Sequence, residues 1–393
     1  MNLPRVRSRR ALLAAVLLSA SAAAQSAAQV EQLFVLEDLR GDDHGTGALI
    51  YPNRDDMKPG ELDLVSLTVE RRPDGIWFVA EMGKNIRNPL GRVTELGQTP
   101  LERLARGGFY TFNIDIYIDT DRIAGAGFVE AMPGRRVTVD RNFAWEKAVI
   151  LTPRPDIART MLQIYFDKQY EAQVRADKGR VSKSDLAGVE TRSEKRVDDF
   201  FYFPSKVRVA GRKVEFLVPI EFLGGEPSKS WGYTVIVTGA DVEQAGSPYA
   251  LVADTSPMMT MGVARGLTGN QWGIRGDVDP GVPPVVDIVS MDRDLQATVL
   301  DNYDTVSGRL AAVPGVAPDG NVAVAPDGRP LTMEEAARIG SAATGEDGVA
   351  APATTTDKRT VPARLRTLNQ LLADGLITQS EYDELRRKIL AEL

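Results

Sequence analysis

The chain has 393 residues, 43% of them hydrophobic and 26% charged, the balance of a globular protein that can bury a sizeable core. With no cysteine and one histidine it can hold no disulfide, no thiolate metal site and no multi-histidine centre, and a Ser/His/Asp hydrolase is disfavoured. Its 54 acidic residues outnumber 47 basic ones, for a net charge of −7, so nucleic acid is a poor partner.

Residues 1–28 read as a signal peptide. Arg5, Arg7, Arg9 and Arg10 precede an apolar run from Ala11 to Leu18, then small residues with cleavage positions after Ala24 or Ala28. The run is too short for a permanent transmembrane anchor, so a periplasmic or secreted location is expected. "SRRALL" leaves Sec and twin-arginine export both open. This segment has no acidic residue, and removing its four arginines takes the net charge to −11.

From Gln32 to Asp304 the pattern is one of short strands and turns. "DLVSLTVER" alternates apolar and polar residues, and "RPDG" turns the chain into "IWFVAEM". "FYTFNIDIYID", "EKAVILT", "FFYFP", "KVEFLVPI" and "WGYTVIVTG" are β-branched or aromatic runs bounded by Gly, Pro or Asp. The expected fold is mainly β, a sandwich over residues 32–306. A charged insertion at 155–196 interrupts it, with "DIARTMLQIYFDKQY" as a helix candidate and the remainder as a solvated loop.

Residues 307–360 are rich in Ala, Gly, Pro and Thr, carry "VAPDG" twice and read as a flexible linker. A short helix is expected from Thr332, capped through Glu335. In residues 361–393, Leu365, Leu368, Leu371 and Leu372 fall at helical spacing, Gly375 is a stop, and Thr378 with Glu381 caps a second helix. This small α-helical hairpin cannot cover its own apolar face, so a homo-oligomer assembled through Leu368, Leu372, Leu385 and Ile389 is expected.

The stretch "LEDLRGDDHGTGALIYP" crowds Asp42, Asp43, His44 and three glycines together. Adjacent aspartates cannot face each other across a glycosidic bond, so catalysis is the weakest reading, behind a glycine-permitted turn and a share in a cation site. In "DTDRIAGAGFVE", Asp119, Asp121 and Glu130 fall at calcium-loop positions, yet Ile123 and Ala124 stand where an EF-hand needs a ligand and glycine. A Ca²⁺ site drawn from Asp42, Asp43, Asp119, Asp121 and Glu130 is the one cofactor expectation. Met258, Met259 and Met261 in "SPMMTMG" are either core filling or ligands for copper or haem. Trp77 sits in a buried-looking strand; Trp145 and Trp272 adjoin loops and are candidate sugar-stacking platforms.

Two resemblances follow. The opening stretch with "MKPGELDLVSLTV", "IDIYIDTD", "EAMPGRRVTV", "VEFLVPIEFLG", "WGYTVIVTG" and "QWGIRGDVDPGVPPVVDIV" resembles the C-terminal domain of glucodextranase and related amylopullulanases, from about Leu33 to Pro314. Thr46 replaces the family's proline, the insertion near Tyr170 to Arg196 is longer than usual, and the catalytic domain of those enzymes is absent. The resemblance implies an immunoglobulin-like, DOMON-like β-sandwich. It also implies a non-catalytic carbohydrate-binding module with a polysaccharide or envelope glycan as partner. The DOMON kinship leaves a haem- or copper-binding redox protein as the alternative, beside a ligand-free envelope scaffold. The tail resembles the short C-terminal (SHOCT) hairpin through Leu371, Leu372, Gly375, Leu376, Ile377, Thr378, Glu381, Tyr382, Lys388 and Leu390, a likeness that implies oligomerisation or membrane-proximal contacts.

Overall fold

A computed structural model describes residues 30–94, 98–243, 258–266, 269–276, 281–341 and 386–387. The strands are β1 (Glu31–Glu37), β2 (Leu49–Ile50), β3 (Leu64–Arg72), β4 (Gly75–Met82), β5 (Phe112–Asp119), β6 (Val137–Val139) and β7 (Lys147–Leu151). They continue with β8 (Phe201–Tyr202), β9 (Val207–Ala210), β10 (Lys213–Val218), β11 (Gly232–Gly239), β12 (Val263–Arg265), β13 (Trp272–Ile274), β14 (Val285–Ile288) and β15 (Ala311–Val313). The helices are α1 (Leu101–Leu104), α2 (Pro155–Lys178), α3 (Lys183–Phe200), α4 (Ile220–Leu223), α5 (Leu295–Leu300) and α6 (Met333–Ser341).

One five-stranded sheet runs β1-β3-β4-β10-β9, antiparallel throughout. A second runs β14-β11-β5-β7-β8, with only the β7–β8 pair parallel. Two smaller sheets, β12-β13-β2 and β15-β6, flank them. The period-2 pattern of each strand decides its burial. Leu67 and Val69 of β3, Phe78 and Ala80 of β4 and Phe216 of β10 share one core with Ile114, Ile116 and Ile118 of β5 and Val235 of β11. Phe34 and Tyr233, one from each sheet, bring their ring centroids to 5.0 Å.

β5 is buried on both faces. Its alternate residues Asn113, Asp115, Tyr117 and Asp119 point away from the first sheet and are covered too. The charged insertion folds as two helices, whose apolar residues share a second hydrophobic cluster with Tyr117, Trp145 and Ile150. α2 starts on Pro155, presents Ala158, Met161, Leu162, Phe166 and Tyr170 at i, i+3/i+4 spacing, and stops at Gly179 with φ +71°. α3 starts from a reciprocal cap in which Ser182 and Asp185 each bind the other's backbone N–H, and buries Val189, Ser193 and Val197. The two expectations, a mainly β chain and a solvated loop over the second half of the insertion, are therefore corrected: the fold is mixed α and β with several sheets. The insertion's charged residues conceal one apolar stripe per helix, and those stripes join Tyr117, Trp145 and Ile150 in one cluster.

The segment read as a linker is ordered at its start. β15 pairs in parallel with β6, Val316 bridges to Tyr233, and α6 follows Thr332, whose hydroxyl and Glu335 form the expected cap.

On its outer face β5 carries a buried ion pair. Arg135 Nε and Nη2 donate to the two oxygens of Asp115 at 2.7 and 2.9 Å, and both side chains are about 1% exposed. Arg135 Nη1 also donates to the Met258 carbonyl at 2.7 Å and to the Thr260 hydroxyl. Burial works against the guanidinium's charge, but the Asp115 carboxylate outweighs it and its pKa lies above the ordinary value. Breaking such a pair strands a buried charge, so Asp115→Ala should cost about 3–5 kcal/mol, read as a lower urea midpoint. The double change Asp115→Leu with Arg135→Met should recover most of the loss; an unchanged midpoint in Asp115→Ala would contradict the assignment.

Candidate functional site

Between the helix pair and the second sheet lies a groove of about 700 Å³. Its walls are aromatic: Phe128 and Trp145 from the β5–β7 connection, Tyr165 and Phe166 from α2, and Phe200 and Phe201 at the end of α3. Glu130, Arg136, Gln169 and Arg196 supply polar groups. Phe128, Tyr165 and Phe200 keep part of their rings exposed, and Phe128 meets Phe200 edge-on at 4.8 Å. The Arg196 guanidinium stacks 4.4 Å from the Phe166 ring centre and donates to the Tyr170 hydroxyl at 3.3 Å. Rings for the C–H faces of a sugar and forked donors for its hydroxyls are therefore side by side, in a volume ordinary for a ligand site.

The groove's floor is set by the buried ion pair. The Tyr117 hydroxyl donates to Asp115 at 3.1 Å and accepts from the Met132 N–H at 2.7 Å, which pins the loop carrying Met132, Gly134 and Arg136. Met258 and Met259 both adopt left-handed backbone (φ +43° and +64°), and this tight turn delivers the Met258 carbonyl to Arg135. Both side chains and that of Met261 are buried in the core. They fill apolar space, as methionine commonly does.

The opening stretch is a docked turn. Gly45 has φ +56°, its N–H donates to Val286 at 2.8 Å, and a Cβ there would stand 2.5 Å from the Val285 carbonyl. Asp43, completely buried, accepts from the Tyr51 hydroxyl and from the Gly60 N–H at 2.6 Å, so its carboxylate holds the loop in place. Asp42 points elsewhere, to a cluster with Asp38 and Asp287. Burial pushes Asp38 up to about 8 and Asp42 up to about 6, and it raises Asp287 and Asp63 as well.

Asp119 and Asp121 do come together, but with Glu146 in place of Glu130. Glu130 is exposed at the groove, its carbonyl accepting from Trp145 Nε1 at 3.1 Å. Asp119 is already paired with Arg122 at 2.7 Å, which makes this a salt-bridged turn. Glu146 accepts from the Thr120 N–H at 2.8 Å and hydroxyl at 3.2 Å. Burial first, then repulsion from Asp121 and Asp119, push its carboxyl up to about 8.

Trp272 is corrected as a sugar platform. It is fully buried and meets Tyr51 edge-on at 4.8 Å, so neither ring face is open. Trp145 lines the groove but is only 2% exposed. Trp77 is core, as expected, with Arg72 and Arg208 each stacked at 4.7 Å. Leu368, Leu372, Leu385 and Ile389, like the signal segment, lie outside the described residues.

A raised carboxyl pKa has a fixed sign in stability. Protonated Glu146 favours the folded state, a contribution complete below the ordinary carboxyl range and lost as pH rises through about 8. Glu146→Gln should therefore melt with the wild type near pH 5 and above it near pH 9, both measured in EDTA. A variant that melts lower at both would overturn the assignment.

Comparison with known families gives two matches, while no curated protein matches the chain. Residues 33–315 match the C-terminal binding-module, SLH-like, of glucodextranase, and residues 363–390 match the short C-terminal domain, SHOCT. The larger match is to a binding module, not to a catalytic family. Among the described residues no helix is long and apolar enough to cross a membrane. The chain belongs, over most of its length, to the glucodextranase C-terminal binding-module family, and it carries a SHOCT domain behind that module.

Proposed function

We propose that this is an exported, non-catalytic module whose two facing sheets form a DOMON-like, immunoglobulin-like sandwich. It binds a polysaccharide or envelope glycan in the aromatic groove and self-associates through its tail. The groove carries this reading. Its walls offer several partly exposed rings beside Arg196, Gln169 and Glu130, a combination suited to a neutral, hydroxyl-rich ligand. Membership in a binding-module family agrees with it. The signal-like first 28 residues and the acidic composition support a ligand of the cell envelope or beyond it.

Calorimetric titration with a panel of soluble α-glucans, β-glucans and envelope glycans, in the presence of Ca²⁺, should identify at least one binder. Tyr165→Ala removes one stacking ring and should weaken that binding roughly three- to ten-fold, with the melting curve little changed. Absence of binding to every member of the panel would sink the proposal.

Self-association is tested independently. Burying each tail leucine would contribute roughly 1.5–3 kcal/mol, enough together to hold subunits in contact. Light scattering should give a multiple of the 42.8 kDa chain mass for the full chain and a monomer for a version ending at Thr360. Equal monomer masses at micromolar concentration would refute an oligomer built on Leu368, Leu372, Leu385 and Ile389.

A further inference from the structure

Three carboxylates from distant parts of the chain converge beside the opening loop. Asp38 follows β1, Asp42 lies in the loop itself and Asp287 stands inside β14; one oxygen of each lies within 4.8 Å of the others. Asp287 is fully buried and Asp38 is 6% exposed. Each of these two commits one oxygen to the fold. Asp38 Oδ1 accepts from Leu39 at 2.9 Å and Ser290 at 2.8 Å, and Asp287 Oδ2 accepts from Leu64 at 2.7 Å. The second oxygens, Asp38 Oδ2 and Asp287 Oδ1, are buried without a hydrogen-bond partner, and so is Asp42 Oδ1. The positive side chain that acts on the cluster, Arg293, is exposed and forms no ion pair with it among the described residues.

Buried, unpartnered carboxylate oxygens are costly, and three of them on carboxyl groups gathered this closely are costlier still. A proton on one of them would relieve only one repulsion, whereas a divalent ion would satisfy all three oxygens at once. We propose that Asp38, Asp42 and Asp287 bind a divalent cation, and that the cation is Ca²⁺. The donors are hard oxygens, the set Ca²⁺ and Mg²⁺ take in preference to softer metals. Three protein carboxylates suit Ca²⁺, which takes about six to eight oxygens in a flexible geometry, better than Mg²⁺, which demands a near-ideal octahedron and keeps several of its waters. Asp38 ends a strand of the first sheet and Asp287 belongs to the second, so the ion staples the two sheets together.

The test uses the full-length protein stripped with EDTA and titrated with CaCl₂ alone. Calorimetry should show saturable binding, and at a hundred times the dissociation constant the melting temperature should rise by roughly 5–10 °C. Asp287→Asn should abolish both effects. Asp42→Asn, which alters the one half-buried donor, should weaken binding at least about ten-fold with an unchanged circular dichroism spectrum, because one of three charged ligands is lost. That variant decides the matter if Asp287→Asn does not fold. No response to CaCl₂, an equal response in wild type and Asp42→Asn, or a larger shift with MgCl₂ would each overturn the proposal.

Discussion

The outer face of the second sheet depends on one buried charge pair. Asp115 stands in the middle of β5, where the strand's alternation turns it away from the isoleucine core, and the Arg135 fork, aided by the Tyr117 hydroxyl, makes that position tolerable. A guanidinium has five donors, and here Asp115, the Met258 carbonyl and the Thr260 hydroxyl take up four of its bonds. One side chain thus ties a central strand, the loop from Met132 to Arg136 and the turn at Met258 into a single unit. A pair this deep contributes modestly to net stability, since desolvation offsets its attraction. Its consequence is geometric: the alternatives to this loop arrangement would leave a charge unpaired in the core, so the groove's floor has one arrangement.

The same logic runs through the other buried acids, with different outcomes. Asp43 is compensated by neutral donors, Tyr51 and the Gly60 N–H. Asp119 is compensated by a cation, Arg122, whose guanidinium also lies 4.2 Å from the Phe143 ring centre. Asp38 and Asp287 have backbone donors for one oxygen each and nothing for the other. An acidic chain with this many carboxylates inside can settle each in one of four ways: a neutral donor, a fixed cation of its own, a bound proton as at Glu146, or a borrowed cation. The last is the way proposed for the cluster at Asp287.

Strands were legible wherever alternation or an apolar run was long, as in "DLVSLTVER", "FNIDIYID" and "KVEFLV". α3 was not, because its buried stripe is one residue wide and includes a serine: Val189, Ser193 and Val197 in an otherwise charged segment. Two local signals were there to be read, Gly179 as the stop of α2 and Ser182 with Asp185 as the start of α3. Asp42 was recognised as a cation ligand candidate, but Asp38 and Asp287 are brought to it only by sheet packing. The lone aspartate in "VVDIV" was the available hint, since a carboxylate within a buried strand requires a partner from elsewhere. Trp272 was misplaced because neighbouring loop residues in sequence say nothing of burial across a sheet.

No carboxylate of the Asp38–Asp42–Asp287 cluster lines the groove. The two features therefore do separable work. The cluster gathers carboxylates from the edge of the first sheet and from within the second, so an ion bound there would tie the two together. The groove is built between the second sheet and the helix pair, on the far side of β5's alternation from the shared core, with its shape fixed by Arg135. A ligand in the groove would meet a loop from Met132 to Arg136 already held by an ion pair that no metal ion is needed to complete. Binding there would thus depend on the ion only through the folded fraction, falling when heat opens an ion-free scaffold and holding at low temperature whether or not the ion is present.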